Sequence, residues 1–248
     1  MLSDQFDRYA DTSLAAHMLE HVVLMTYVPL ALVLGSPWTS LWRGLPLRLR
    51  RKLARRLLGL APLGRPWPAF LLLTVDLAVW HVPTVYDATL RSSALHASEH
   101  ASYLVFGTLF WLPVLGSPPL RPQLRGPAAA GYVLAGAVAG WILALLLTFA
   151  GSPLYPAYAA LPHRAFGLSP LADQQLAGGI MLAIGGLPLT TAVIVLLYRW
   201  LDETTTATRR HTTRSTEMTT TDATRLPISK PVMHRSTQPP AVEPINPA

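Results

Sequence analysis

The chain alternates between long apolar segments and short polar ones. Five apolar segments cover about residues 14–34, 67–83, 95–115, 128–150 and 171–198. A helix rises 1.5 Å per residue, so about 20 residues cross the roughly 30 Å hydrocarbon core of a bilayer. The pattern therefore predicts an all-α polytopic membrane helix bundle of about five transmembrane helices over residues 1–200. Pro188 lies inside the fifth span, where we expect a bend.

Residues 201–248 differ in composition from the five spans. They are rich in Thr and Pro and contain few large apolar side chains. Such a segment buries too little apolar surface to offset the conformational entropy lost on folding. We predict that it is a disordered cytoplasmic tail.

The Lys and Arg residues are distributed asymmetrically about the spans. A cationic segment runs from Arg43 to Arg65 and contains no acidic residue. The positive-inside rule places this segment in the cytoplasm, which puts the N-terminus outside and the C-terminus inside. Only Arg8, Arg91 and Arg164 then fall on the outer side. We attribute the net charge of +7 to contact with anionic membrane lipid, and we expect no nucleic-acid partner.

Two copies of a His-x-x-Glu-His pattern stand at the start of the first and third spans. The first copy is His17-Met18-Leu19-Glu20-His21 and the second is His96-Ala97-Ser98-Glu99-His100. Helical residues four apart share a face, so each copy presents two imidazoles to one side. We predict that the pairs converge at the outer end of the bundle, where His17, His21, His96 and His100 bind a metal.

Further polar groups are predicted at the same end of the bundle. Ionisable groups within a membrane are costly unless they face a cavity, a partner or a metal. Carboxylates also commonly orient metal-binding imidazoles. We therefore predict an auxiliary set around the ligands, consisting of Glu20, Asp76, His81, Glu99, Asp173 and Met181.

The residue types restrict the chemistry without fixing it. The chain contains no Cys, which excludes disulfides and thiolate ligands. Imidazoles suit copper, zinc or a haem held between facing helices, and thioethers suit Cu(I), so Met18 and Met181 are minor candidates.

The His-x-x-Glu-His pattern also matches the inverted zinc-peptidase motif. A peptidase requires one such helix and a separate third ligand, whereas this chain has two similar helices, and we predict no catalytic residue.

Several segments together resemble the CtaG-type multi-span cytochrome c oxidase assembly factors of bacteria, a family distinct from the single-span, Cys-bearing copper chaperones. The segments are Asp7-Arg8-Tyr9-Ala10 through His17-Met18-Leu19-Glu20-His21, Trp80-His81-Val82-Pro83 with Tyr86-Asp87-Ala88, Leu95-His96-Ala97-Ser98-Glu99-His100, and Asp173-Gln174-Gln175-Leu176. This chain has Glu20 where the family usually has Gln. The resemblance implies a plasma-membrane protein needed to build a haem-copper oxidase, with delivery of copper as its role.

We therefore expect a non-enzymatic assembly factor that holds copper at the outer face and passes it to cytochrome c oxidase subunits. One alternative is a membrane haem or quinone electron carrier. Another is a scaffold that binds oxidase subunits without a metal.

Overall fold

The computed structural model describes residues 12–163 and 167–224, and the regular elements of this part are helices. The α-helices described in this part are α1 (Leu14–Gly35), α2 (Trp38–Gly44), α3 (Leu47–Leu60), α4 (Pro66–Trp80), α5 (Pro83–Thr89), α6 (Ser93–Leu115), α7 (Gly126–Phe149), α8 (Pro156–Ala159), α9 (Pro170–Ile180) and α10 (Gly186–Thr224). Residues 1–11, 164–166 and 225–248 lie outside the described residues, so the predictions for Arg8 and Arg164 and part of the predicted tail fall there.

Three helical stretches in the described part are long and apolar enough to cross a membrane. They are α1, α7 and the run Pro170–Thr206, and the pair α4 and α5 adds a fourth if these helices, bent by 81°, count as one span. The predicted helical membrane bundle is confirmed, while the number five stays a prediction. Helix α6 has 23 residues but is not among the candidates, because its first two turns carry the polar His96, Glu99 and His100.

Helix α1 occupies the centre of the packing. It contacts α6 on one side and α9 on another, while α6 also packs against α4 and α9 against α7. One hydrophobic cluster lies near the start of α1 and includes Leu14, Met18 and Met181. A second cluster lies near its end and includes Val33 and Trp111. The start of α1 is therefore fixed by neighbours from distant parts of the sequence.

Two π turns interrupt the long helices, and each precedes a proline. The first covers Val23–Tyr27 ahead of Pro29, and the second covers Met181–Gly185 ahead of Pro188. A proline has no N–H to donate to the carbonyl four residues before it, and its ring crowds that carbonyl. A π turn relieves this crowding. Because Pro188 has no N–H, the carbonyl oxygen of Ile184 lacks its usual helical donor. The Tyr27 hydroxyl donates to this oxygen at 2.8 Å.

The first four predicted spans and the observed helices share their positions, with differences of a few residues at the ends. The second span, predicted over 67–83, differs in that α4 ends at Trp80 and Pro83 starts α5. Pro83 favours a helix start because its missing N–H would be unpaired there in any case. His81 consequently lies in the junction between two helices.

The predicted disordered tail starts at residue 201, whereas α10 continues to Thr224. No Pro or Gly occurs between Leu201 and Thr224, so nothing in this stretch breaks a helix. Contacts divide the chain into two units, and the boundary lies between Asp202 and Glu203.

Candidate metal centre

Each His-x-x-Glu-His segment occupies the first turns of its helix. Ser13 precedes α1, and its hydroxyl oxygen accepts a 3.3 Å hydrogen bond from the Ala16 N–H. Ser92 precedes α6 and accepts a 3.4 Å hydrogen bond from the Leu95 N–H. Such caps satisfy N–H groups that the start of a helix leaves unpaired. In both helices the cap stands four residues before the first His, so each pair lies at the same distance from its helix start.

Four donor residues from the two helices come together in what we call the buried centre, which consists of His17, His21, His96 and Glu99. One ring nitrogen of each His and one carboxylate oxygen of Glu99 lie within 4.8 Å of one another. The exposed fraction is 1% for His17, 3% for His21 and 0% for Glu99. Nitrogen and oxygen ligands bind a metal at about 2.0–2.2 Å, so two ligands on opposite sides of one ion lie about 4.0–4.4 Å apart, a separation comparable with the 4.8 Å that spans these four atoms.

Both ring nitrogens of His21 are buried and take part in no hydrogen bond within the described residues. His21 Nδ1 does lie 3.6 Å from Glu99 Oε1. A buried polar group without a hydrogen bond costs free energy, and native structures rarely leave one without a reason. A bound cation would supply the missing partner, so the donor set fits a metal ion.

Each Glu of the repeated pattern lies beside a His of the opposite helix. Glu99 of α6 lies beside His21 of α1, and Glu20 of α1 lies beside His100 of α6, with Glu20 Oε1 3.9 Å from His100 Nδ1. The first pair is buried, whereas the side chains of His100 and Glu20 are 23% and 25% exposed. The His100 ring centroid is 4.1 Å from that of His96 and 5.2 Å from that of His21. His100 therefore adjoins the buried centre on its more exposed side.

Tyrosine side chains surround the buried centre. The Tyr103 hydroxyl donates to Glu99 Oε1 at 3.3 Å, and the Tyr158 hydroxyl lies 3.0 Å from His17 Nδ1. The Tyr86 ring centroid is 5.5 Å from that of His17. Hydrogen bonds to the second nitrogen of an imidazole or to a carboxylate fix the orientation of a metal ligand. Tyr103 and Tyr158 are placed to do this for Glu99 and His17.

Two of the predicted auxiliary residues take part in other hydrogen-bond networks. Asp76 accepts hydrogen bonds from Trp80 Nε1 at 2.8 Å and from the Ser102 hydroxyl at 3.1 Å. His81 Nδ1 lies 2.8 Å from the Leu77 carbonyl oxygen. The His81 ring centroid is 6.5 Å from that of Tyr86, and the Tyr86 ring in turn adjoins that of His17.

Asp173 and Met181, the remaining predicted auxiliary residues, support the start of α1. Asp173 accepts hydrogen bonds there from the Ser13 hydroxyl and from the N–H groups of Leu14 and Ala15. Met181 is 8% exposed and belongs to the hydrophobic cluster that contains Met18. Both residues stabilise the helix that carries His17 and His21.

The three tyrosines were missing from the sequence-based prediction. Tyr103 could have been found, because it stands four residues after Glu99 and so shares its helix face. Tyr86 belongs to one of the segments that carry the family resemblance. Tyr158 lies in the short α8, and no local pattern marks it.

Comparison with known proteins gives both relatives and a family. The chain is 28% identical over 207 residues to an uncharacterized protein of Mycobacterium bovis and equally to one of Mycobacterium tuberculosis. It is 26% identical over 206 residues to an uncharacterized protein of Mycobacterium leprae. Each match covers 77% of this chain but only 30% of the relative, so the chain spans less than a third of the length of these relatives. No solved structure matches the chain significantly.

A family model described as the cytochrome c oxidase caa3 assembly factor matches residues 1–203. The match covers the helical bundle, including both His-x-x-Glu-His segments. The chain therefore belongs to the cytochrome c oxidase caa3 assembly factor family.

Proposed function

We propose that this protein binds copper at the buried centre and delivers it to a haem-copper cytochrome c oxidase during assembly. The supporting observation is the gathering of three imidazoles and one carboxylate within 4.8 Å of one another. Among divalent first-row metals, sites of this ligand type bind copper most strongly. His17, His21 and His96 would donate ring nitrogens to the cargo ion and Glu99 an oxygen, at the outer face of the plasma membrane.

A non-enzymatic role agrees with both the family and the burial of the site. The family description names assembly of an oxidase, which implies contact with that oxidase. His17, His21 and Glu99 are at most 3% exposed and only His96 of the four is partly exposed, so an ion at the buried centre offers little access to a peptide substrate. A zinc-peptidase mechanism, in which the Glu activates water against a bound peptide, is therefore less well supported.

The packing of the rings favours a single ion over a haem. The ring centroids of His17 and His21 are 4.3 Å apart, and the Tyr103 centroid is 5.1 Å from that of His21. A haem needs a flat slot between its two axial ligands. Side chains occupy the surroundings of His21 on several sides, and a metal ion needs no such slot.

Metal analysis of the detergent-purified protein tests the proposal. The protein is loaded with copper, passed through a desalting column and analysed for copper and zinc by mass spectrometry. We expect about one copper per chain in the wild type and none in a variant with Ala at His17, His21, His96 and His100. His163→Ala is the matched control, since it removes an exposed imidazole outside the bundle helices.

Two outcomes would favour the alternatives. A Soret band in the purified protein, lost in the quadruple variant, would indicate a haem carrier. A wild type that retains no copper or haem while still supporting oxidase assembly would indicate a scaffold that works without a metal. Retention of zinc in place of copper would contradict copper delivery and leave a structural zinc site.

A further inference from the structure

We infer that metal reaches and leaves the buried centre through a second, more exposed site formed by Glu20 and His100, which we call the exchange port. This inference rests on the proposed copper binding and adds a route to it. It divides the four predicted His ligands into a resident set, His17, His21 and His96, and one residue, His100, that acts in transfer. The ligand of the port is the same copper ion, held by one imidazole and one carboxylate.

Two otherwise equivalent Glu–His pairs differ in exposure. The repeated pattern places one Glu beside the second His of the opposite helix at both sites, with separations of 3.6 Å and 3.9 Å. The Glu99 and His21 side chains are 0% and 3% exposed, whereas those of Glu20 and His100 are 25% and 23% exposed. One pair can therefore retain an ion away from solvent, and the other can meet an acceptor.

Donor atoms continue without a break from the buried centre to the exchange port. The His100 ring lies 4.1 Å from that of His96 and 5.2 Å from that of His21, measured between centroids. His100 Nε2 is buried and takes part in no hydrogen bond within the described residues. An ion could thus exchange one bond to His96 or His21 for a bond to His100 without passing through an apolar gap. Each step replaces one ligand by another and changes no oxidation state.

Both residues of the exchange port lie about two turns into their helices. Glu20 lies six residues after the start of α1 and His100 seven residues after the start of α6, which is about 9–11 Å along each helix. A carboxylate at that depth is costly against lipid unless it meets a polar neighbour, and Glu20 meets His100 of the opposite helix. A partner protein that receives copper would dock on the partly exposed face of this pair, on the flank between α1 and α6.

The test measures how fast copper leaves the full-length, copper-loaded protein in detergent. The protein is loaded with Cu(I) and kept reduced by ascorbate in the absence of oxygen. Bicinchoninate is then added in excess as a Cu(I) chelator, and the absorbance of its copper complex is followed over time. We expect His100→Ala and Glu20→Gln to slow release at least about tenfold, equivalent to about 1.4 kcal/mol in the barrier. The amount of copper retained before chelation should equal that of the wild type. His163→Ala and Asp202→Asn are the matched controls, since they remove an exposed imidazole and an exposed carboxylate that belong to neither the port nor the buried centre, and both should release copper at the wild-type rate.

Other outcomes would overturn the inference. An unchanged or faster release would show that the port is not the route. Loss of bound copper in His100→Ala would show that His100 is a resident ligand, and His100→Gln, which is closer in size, checks that this loss does not reflect misfolding. A wild type that binds no copper would instead contradict the proposed function itself.

Discussion

Asp173 accepts a 2.7 Å hydrogen bond from the hydroxyl of Ser13, a residue 160 positions earlier in the chain. The same carboxylate accepts hydrogen bonds from the N–H groups of Leu14 at 2.8 Å and Ala15 at 3.1 Å. A carboxylate at the start of a helix satisfies unpaired N–H groups and interacts favourably with the helix dipole. Asp173 thereby fixes α9 to the start of α1, where His17 and His21 follow within two turns.

We expect Asp173→Ala to destabilise the protein and to lower copper retention, although Asp173 contacts none of the donor atoms. Three buried hydrogen bonds are lost, and removing a charged acceptor from buried donors costs about 2–3 kcal/mol. Thermal unfolding followed by circular dichroism measures the first effect, and metal analysis the second. Gln175→Ala, at an exposed position two residues later, is the control. Wild-type stability in Asp173→Ala would contradict the role of this cap.

Some features of the candidate centre follow from local sequence and others do not. The i,i+4 spacing predicts that His17 and His21 share a face, as His96 and His100 do, because helix geometry alone sets this. Which residue of α6 stands closest to α1 depends on the rotation of one packed helix against the other. That rotation places Glu99 in the buried centre and His100 beside it.

The fold shows the same division between local and long-range causes. The apolar segments and their flanking Ser and Pro residues predict where helices start and end, since caps and prolines act within one turn. Asp173 was predicted to surround the metal because it is an acidic residue near the outer end of a span. Its actual partners lie at the start of α1, and only the packing of α9 against α1 reveals them.

Substitution of Gly178 tests how closely α9 packs against its neighbour α7, without altering the buried centre. A Cβ at Gly178 would meet the Thr148 hydroxyl, and it would lie 2.7 Å from the Ala144 carbonyl oxygen of α7. The neighbouring Gly179 has no atom within 4 Å of such a Cβ. We expect Gly178→Ala to lower the free energy of unfolding by about 1–3 kcal/mol through overpacking. Gly179→Ala, its matched control, should leave stability unchanged or slightly raised, because Ala favours a helix. Equal thermal midpoints for the two variants would contradict the close approach of α9 and α7.

In cells, we expect His21→Ala to lower the level of assembled cytochrome c oxidase without lowering the level of this protein. His21 contributes to the buried centre, and its loss removes one of three imidazoles from the proposed copper site. Oxidase activity of isolated membranes and an immunoblot of this protein measure the two quantities. Added copper should partly restore activity, and His163→Ala should behave as the wild type. Normal oxidase activity in His21→Ala would contradict a role for the centre in assembly.

The orientation in the membrane is testable by single-Cys labelling, which is clean because the chain has no native Cys. We expect Arg65→Cys, at the end of the cationic segment, to react with an impermeant maleimide only after the cells are broken. Arg91→Cys, between α5 and α6, should react on intact cells. Both side chains are exposed in the structure, so burial would not explain a failure to react. The reverse pattern would place the buried centre at the cytoplasmic end and contradict delivery at the outer face.

We expect the first unit to stay folded without the tail, because it has a core of its own. Among the described residues, neither hydrophobic cluster contains a residue beyond Leu196. The contact boundary also falls between Asp202 and Glu203. Truncation after Thr204 should therefore leave the bundle folded, with an unchanged thermal midpoint and unchanged copper retention. It should also leave oxidase assembly intact, as measured by oxidase activity in membranes. If activity falls while the level of the truncated protein stays the same, the removed segment must bind an assembly partner, and the copper-binding bundle alone would not account for the function of the chain.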